Sequence, residues 1–144
     1  MSDINIGAIT EALNDKSDRD LRNVDNTAGA DAVIEYQAPD PNNDYKWYRK
    51  YKSGWVEQGG IWTGSMSAGN GSDAYAYVTL PITMNDTNYI INITNNSGTG
   101  TATVWEMWMV QELTTSQFRM HMGAYANTRT ITRMNWEVKG MAAS

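Results

Sequence analysis

The 144-residue chain contains no cysteine, one histidine, one phenylalanine and three prolines. Without cysteine, neither a disulfide nor a thiolate-held metal can brace the fold. With His121 as the only histidine, a single chain cannot assemble a Ser-His-Asp triad or a histidine-rich metal site. Three copies of His121 around a threefold axis offer one route to a metal; its alternation with Gln117 and Arg119 makes solvent exposure the simpler expectation. No motif calls for a cofactor. No apolar run reaches membrane-spanning length, and the opening MSDINIGAIT, with its acidic residue and broken apolar run, does not read as a secretory signal. The four N-x-S/T matches, at Asn70, Asn85, Asn92 and Asn95, therefore read as chance in an Asn-rich chain. A sustained basic surface is lacking too: residues 1–44 hold ten acidic and three basic side chains, residues 45–144 six and eight, for a net charge of -5. That balance argues against nucleic acid as the main partner.

What is present describes one globular domain. Hydrophobic content of 41% with 19% charged residues is enough for a core in a chain of this length. The aromatics are uneven, with six Trp and eight Tyr against the single Phe. Tyr and Trp join a large flat body to a polar atom and suit half-wet surfaces and interfaces better than dry cores. Strand propensity accounts for part of that excess.

The densest aromatic stretch lies at residues 44–60, DYKWYRKYKSGWVEQGG, where five aromatics and four cations surround a Lys52-Ser53-Gly54 turn. This reads as a β-hairpin. The period of two puts Trp47, Arg49 and Tyr51 on one side and Tyr48 and Lys50 on the other.

Upstream, Asp3 can cap a short helix carrying Ile6, Ile9 and Leu13 at a, d and a positions. A helix this short needs a partner, either its own domain or parallel copies. Residues 1–24 are read as a helical segment, for which the pattern leaves both partners open, and residues 25–144 as a β domain. Strands are expected at 32–37, in the hairpin, at 74–80, 88–94, 101–113, 116–122 and 130–139, with a strand stub at 61–62. Loops are expected at 63–73, 95–100 and 123–129. Residues 101–113 are the longest strand expected and are apolar on both sides, with Val104, Trp108 and Val110 on one and Trp105, Met107 and Met109 on the other. Two covering layers are then needed, one from the domain itself and a second that a neighbouring subunit could supply. In 116–122, Phe118, Met120 and Met122 face inward; in 130–139, Thr132, Met134, Trp136 and Val138 share a face. The pattern describes an antiparallel, jelly-roll-like β-sandwich of about eight strands.

Three segments, WYRKYKSGWVEQGG at 47–60, VTLPITMNDTNY at 78–89 and NWEVKGMA at 135–142, resemble in this order the C-terminal domain of tailed-bacteriophage and prophage tail fibres. ALNDKSDRDLRN at 12–23 is similar to the short helical segments that precede such domains. The resemblance implies a homotrimeric, β-rich receptor-binding tip in the virion, made in the host cytoplasm without a signal peptide. It also implies recognition of a bacterial surface glycan, either lipopolysaccharide or capsule, and contact with other tail or fibre proteins through the N-terminus. Neither a cofactor nor membrane insertion is implied.

On that reading Ile6, Ile9, Leu13, Trp105, Met107 and Met109 form the trimer interface. Receptor contacts fall on Asn70, Asn96, Tyr125, Asn127 and Arg129 in loops, where polar side chains adapt to a partner, and on Arg49 and Lys50 in the hairpin, which favour anionic sugars. Trp47, Tyr48, Tyr51, Trp55 and Trp62 offer a sugar-stacking platform, although core filling is the plainer expectation for Trp47 and Trp55. Glu57, Glu106, Glu112 and Glu137 are the carboxylates that a glycan-cleaving enzyme would draw on. The plainer role for Glu106 is pairing with Arg119 or Arg133, and the chain is read as a non-enzyme. A structural trimerisation or folding cap without receptor contact is the alternative of a different class.

Overall fold

A computed structural model describes residues 29–69, 71–99, 105–125 and 127–144. The expected N-terminal helix, with Ile6, Ile9 and Leu13, lies outside them, as does Asn70. Eight strands follow one another: β1 (Val33–Gln37), β2 (Trp47–Tyr51), β3 (Trp55–Ala68), β4 (Asp73–Thr79), β5 (Ile90–Thr99), β6 (Trp105–Gln111), β7 (Gln117–Tyr125) and β8 (Arg129–Met141). All pairings are antiparallel, in a five-stranded sheet of order β1-β2-β3-β8-β5 and a three-stranded sheet of order β4-β7-β6. The all-β, two-sheet architecture is therefore the one the alternation dictates.

The hairpin forms where expected, with Trp47 opposite Gly59 and Lys50 opposite Val56. Gly54 takes φ +86°, a conformation open to glycine, and its N–H bonds Tyr51 O at 2.9 Å to close the turn. Strands run into parts of all three expected loops. The strand stub at 61–62 is the middle of β3, which runs on through Gly64 and Ser65 to Ala68 and is the longest strand described. β5 continues through Asn95 and Asn96, and β7 extends to Tyr125. In each case a neighbouring strand supplies ladder partners that outweigh local turn propensity: β8, 13 residues long, pairs with both β3 and β5.

Inward residues of both sheets make one core. Val56 and Met66 of β3, Val78 of β4, Phe118, Met120 and Met122 of β7, and Ile131, Met134, Trp136 and Val138 of β8 are its centre. The alternation expected in β7 holds. In β8, Ile131 takes the inward place expected of Thr132, which is exposed. The register of β8 slips opposite Thr63/Met66 of β3 and opposite Ser97/Gly98 of β5, and such a bulge reverses which side chains face the core.

Gln58 is the one buried polar side chain among the described residues. Its amide reproduces a strand ladder: Nε2 donates to Ile82 O at 2.9 Å and Oε1 accepts from Ile82 N at 2.8 Å. The segment between β4 and β5 is thereby pinned over the edge of the core, and Met84 bridges to Ala142 beside it.

Candidate functional site

The anticipated receptor contacts are divided between two surfaces. Arg49 and Asn96 lie on the outer face of the five-stranded sheet, where Asn96 Nδ2 donates to Asn135 Oδ1 at 2.6 Å. Lys50 turns to the opposite side of β2 and is half-buried. Tyr125 ends β7 on the outer face of the three-stranded sheet, 71% exposed, with Asn127 just beyond it. Arg129 opens β8 and is ion-paired to Glu106.

The three-stranded sheet exposes an apolar face around a polar seam. Cross-strand register sets Met107, Gly123 and Asp73 in one row, Met109, His121 and Tyr75 in the next, and Gln111, Arg119 and Tyr77 in a third. Met107 is 65% exposed, and Met109, Tyr75 and Tyr77 are exposed beside it. Met107 and Met109 thus project away from the core, while Trp108 and Val110 of the same strand pack against it. A depression of about 700 Å³ opens over Gly123, bordered by Met107, Met109, His121, Asp73 and Tyr125.

His121 lies on the outward side of β7 with Arg119, as its alternation implied, but neighbouring side chains leave it only 15% exposed. Nε2 lies 2.6 Å from Asp73 Oδ2 and Nδ1 lies 2.9 Å from Gln111 Oε1, an oxygen that also accepts from Arg119 at 2.6 Å. Arg119 reaches Glu112 at 2.8 Å and stands 5.1 Å from the Tyr75 ring centroid. Tyr77 donates to Glu112 at 2.5 Å, and this bond to a carboxylate lifts its phenolic pKa above 10.0. Among the described residues no cluster of three or more His, Asp or Glu side chains suits a metal. The sequence marked 74–80 only as a strand, and this face was missed; the signal available was the alternation of Tyr75 and Tyr77 with Ala74, Ala76 and Val78. The roles of Asp73 and Gln111 had none, because their partner lies on another strand.

Glu106 pairs with neither Arg119 nor Arg133. It faces inward from β6, 17% exposed, and binds Arg129, 21% exposed, at the start of β8. Trp108 Nε1 donates to it at 3.1 Å and Asn95 Nδ2 approaches at 3.5 Å. The pair ties the two sheets together at one end of the sandwich.

On the five-stranded sheet, Trp47 and Trp55 lie half-buried on the outer face, and Trp136 is the tryptophan of the buried core. Both were expected inside; the side of β2 that packs inward carries Tyr48 instead. The Trp47 indole rests on Gly59, where a Cβ would come within 2.8 Å of Nε1. Glu57 and Glu137 stand beside it on neighbouring strands. Lys139 contacts Glu137 at 3.1 Å and Glu57 at 3.9 Å, and the bond to Glu137 raises the lysine pKa above 10.5. Of the four glutamates weighed for glycan cleavage, the fold brings these two onto one surface and leaves Glu106 and Glu112 elsewhere.

No family model and no curated protein matches the sequence. The fold does have counterparts among solved structures, and both are tail fibre chains, the class of protein the sequence resembles. An N-truncated R1-type pyocin tail fibre superposes with a TM-score of 0.52 at 10% identity, over 97% of this chain and 99% of that one. An N-truncated R2-type pyocin tail fibre gives a TM-score of 0.47 at 19% identity, over 76% of this chain and 39% of that one, so this chain spans well under half the length of the R2-type chain.

Proposed function

We propose that this chain is the receptor-binding tip of a phage-type tail fibre, a homotrimer that holds a bacterial surface glycan without cleaving it. The observation that carries the reading is the fold shared with a pyocin tail fibre over nearly the whole of both chains. The outer face of the three-stranded sheet supports the oligomer. Monomeric proteins rarely expose a contiguous apolar patch of more than a few hundred Å². Here Met107, Met109, Tyr75, Tyr77 and Tyr125 are exposed around polar groups already bonded to one another. A face of that kind is suited to burial against another copy, because its polar atoms keep their partners when water leaves. Three copies then present three equivalent glycan sites, and weak single contacts add through effective concentration. The N-terminal residues are the link to the rest of the fibre.

The test is solution mass by light scattering on the full chain. Three times the 16.1 kDa chain mass supports the fibre-tip reading, and a monomer at micromolar concentration refutes it. Adsorption to bacteria that is lost with surface variants while the oligomer persists separates receptor binding from the structural-cap alternative. Release of reducing ends from lipopolysaccharide or capsule would instead mean an enzyme.

A further inference from the structure

The glycan reading above does not say where a sugar would sit, and the outer face of the five-stranded sheet supplies a built answer. The trough beside Trp47 has a volume of about 290 Å³ and is lined by Tyr36, Pro39, Trp47, Arg49, Glu57 and Glu137. That is the lower end of the roughly 300–1,000 Å³ range of small-ligand pockets. Cross-strand register runs Tyr36, Arg49, Glu57 and Lys139 in one row and Trp47, Gly59 and Glu137, with Asn92 beyond, in the next. The aromatic, the cations and the carboxylates are thus neighbours fixed by the ladder.

Gly59 shapes this surface. Its Cβ would stand 2.8 Å from both Trp47 Nε1 and Trp136 O, so only glycine lets the indole settle onto the sheet. The opposite wall is rigid as well. Asp40 accepts from the Asn42 N–H at 2.8 Å to cap a single turn of 3-10 helix (Pro41–Asn43), and Gln37 Nε2 anchors the end of that connector on Lys46 O at 3.0 Å.

Tyr51 donates to Glu57 Oε2 at 3.2 Å and Lys139 contacts both carboxylates, which leaves Arg49 and one oxygen of Glu137 to meet a ligand. Glu137 commits Oε1 to Lys139 at 3.1 Å, and its Oε2 has no hydrogen bond or ion pair among the described residues. Arg49 stacks 5.9 Å from the Tyr36 ring centroid and makes no ion pair among the described residues. The lining holds one cation, Arg49, against two carboxylates, Glu57 and Glu137, with Lys139 paired to both carboxylates just outside it, so the trough has no excess of positive charge to attract an anionic sugar.

We infer that this trough is a saccharide subsite for one uncharged pyranose ring, and the inference rests on the glycan-binding reading. The apolar C–H face of the ring packs on the Trp47 indole. Ring hydroxyls donate to Glu137 and accept from Arg49, charge-assisted bonds that fix orientation. Recognition by this subsite is therefore of neutral hexose or deoxyhexose units, in contrast to the anionic sugars that the cations of the hairpin suggest by themselves.

The experiment titrates the full ¹⁵N-labelled chain with the methyl pyranosides of glucose, mannose, galactose and rhamnose, following the indole N–H signals. The Trp47 signal is identified by its loss in Trp47→Phe. At least one sugar is expected to shift the Trp47 signal saturably while Trp136, in the core, stays in place. Trp47→Ala should abolish that binding, and Glu137→Gln, a surface change that leaves the core untouched, should weaken it about tenfold or more, the worth of one hydrogen bond to a charged group. A Trp47 signal that none of the four sugars moves overturns the subsite. Purified lipopolysaccharides and capsules on an array then separate the two readings: binding that survives in Trp47→Ala leaves glycan recognition standing at another surface, and no binding by the unaltered chain overturns both.

Discussion

The Glu106–Arg129 pair gives a direct energetic test of how the two sheets are held together. Glu106 projects inward from β6 and Arg129 starts β8 in the other sheet, with 17% and 21% of their side chains exposed. Exposed pairs contribute about 0.2–1 kcal/mol, and breaking a fully buried pair by removing one partner costs about 3–5 kcal/mol. Burial between those limits places Glu106→Ala at about 2–3 kcal/mol, because Arg129 loses its counter-charge and the Trp108 N–H its acceptor. Glu106→Gln, which retains an oxygen for Trp108, should cost about half as much. In a domain of this size 1 kcal/mol corresponds to about 3–5 °C in Tm, so Glu106→Ala should melt about 6–15 °C lower. Urea unfolding at one fixed protomer concentration, since the proposed assembly would contribute to stability, should give a coupling of about 1–2 kcal/mol in the Glu106→Ala/Arg129→Ala double-mutant cycle. A coupling below about 0.5 kcal/mol would refute the reasoning and reduce the pair to a surface contact.

Gln58→Leu keeps a similar volume but leaves both Ile82 backbone groups unpaired, and should destabilise by about 2–4 kcal/mol in the same assay. Burial lifts the Tyr89 phenol above its ordinary 10.0, so the native state holds that proton more tightly than the unfolded chain. The corresponding stability is complete below pH 10 and is lost as pH rises through the higher folded value. Tyr89→Phe, although less stable at pH 7 for want of its bonds to Thr114 O and Gln117 O, should show a shallower decline in Tm between pH 9.5 and 11; an unchanged slope would count against burial as the cause. Met107→Asp with Met109→Asp should convert the proposed trimer to monomers by light scattering while far-UV circular dichroism is retained, because both side chains lie on the exposed face of β6. Persistence of the oligomer would move the interface elsewhere.

Alternation by two was enough to place eight strands and to identify Phe118, Met120 and Met122 as core, because each side chain's direction is fixed by its immediate backbone. The Lys52-Ser53-Gly54 turn was legible for the same local reason. Partner-dependent features were not. Gly64-Ser65 and Asn95-Asn96 look like turns, yet they extend β3 and β5 because β8 lies alongside to receive their hydrogen bonds. Alternation placed Trp47 and Arg49 together but could not say which side of the hairpin meets the core, since both sides carry aromatics. The closure of the sandwich decided it, leaving Trp47 on Gly59 and turning Tyr48 inward. The bulge opposite Thr132 and the choice of Arg129 as partner for Glu106 belong to the same class. The chain therefore dictated its strands, its loops' approximate positions and the residue types available for binding. Only the packing of one sheet on the other determined which faces are buried, because that choice is made by contacts between residues far apart in sequence.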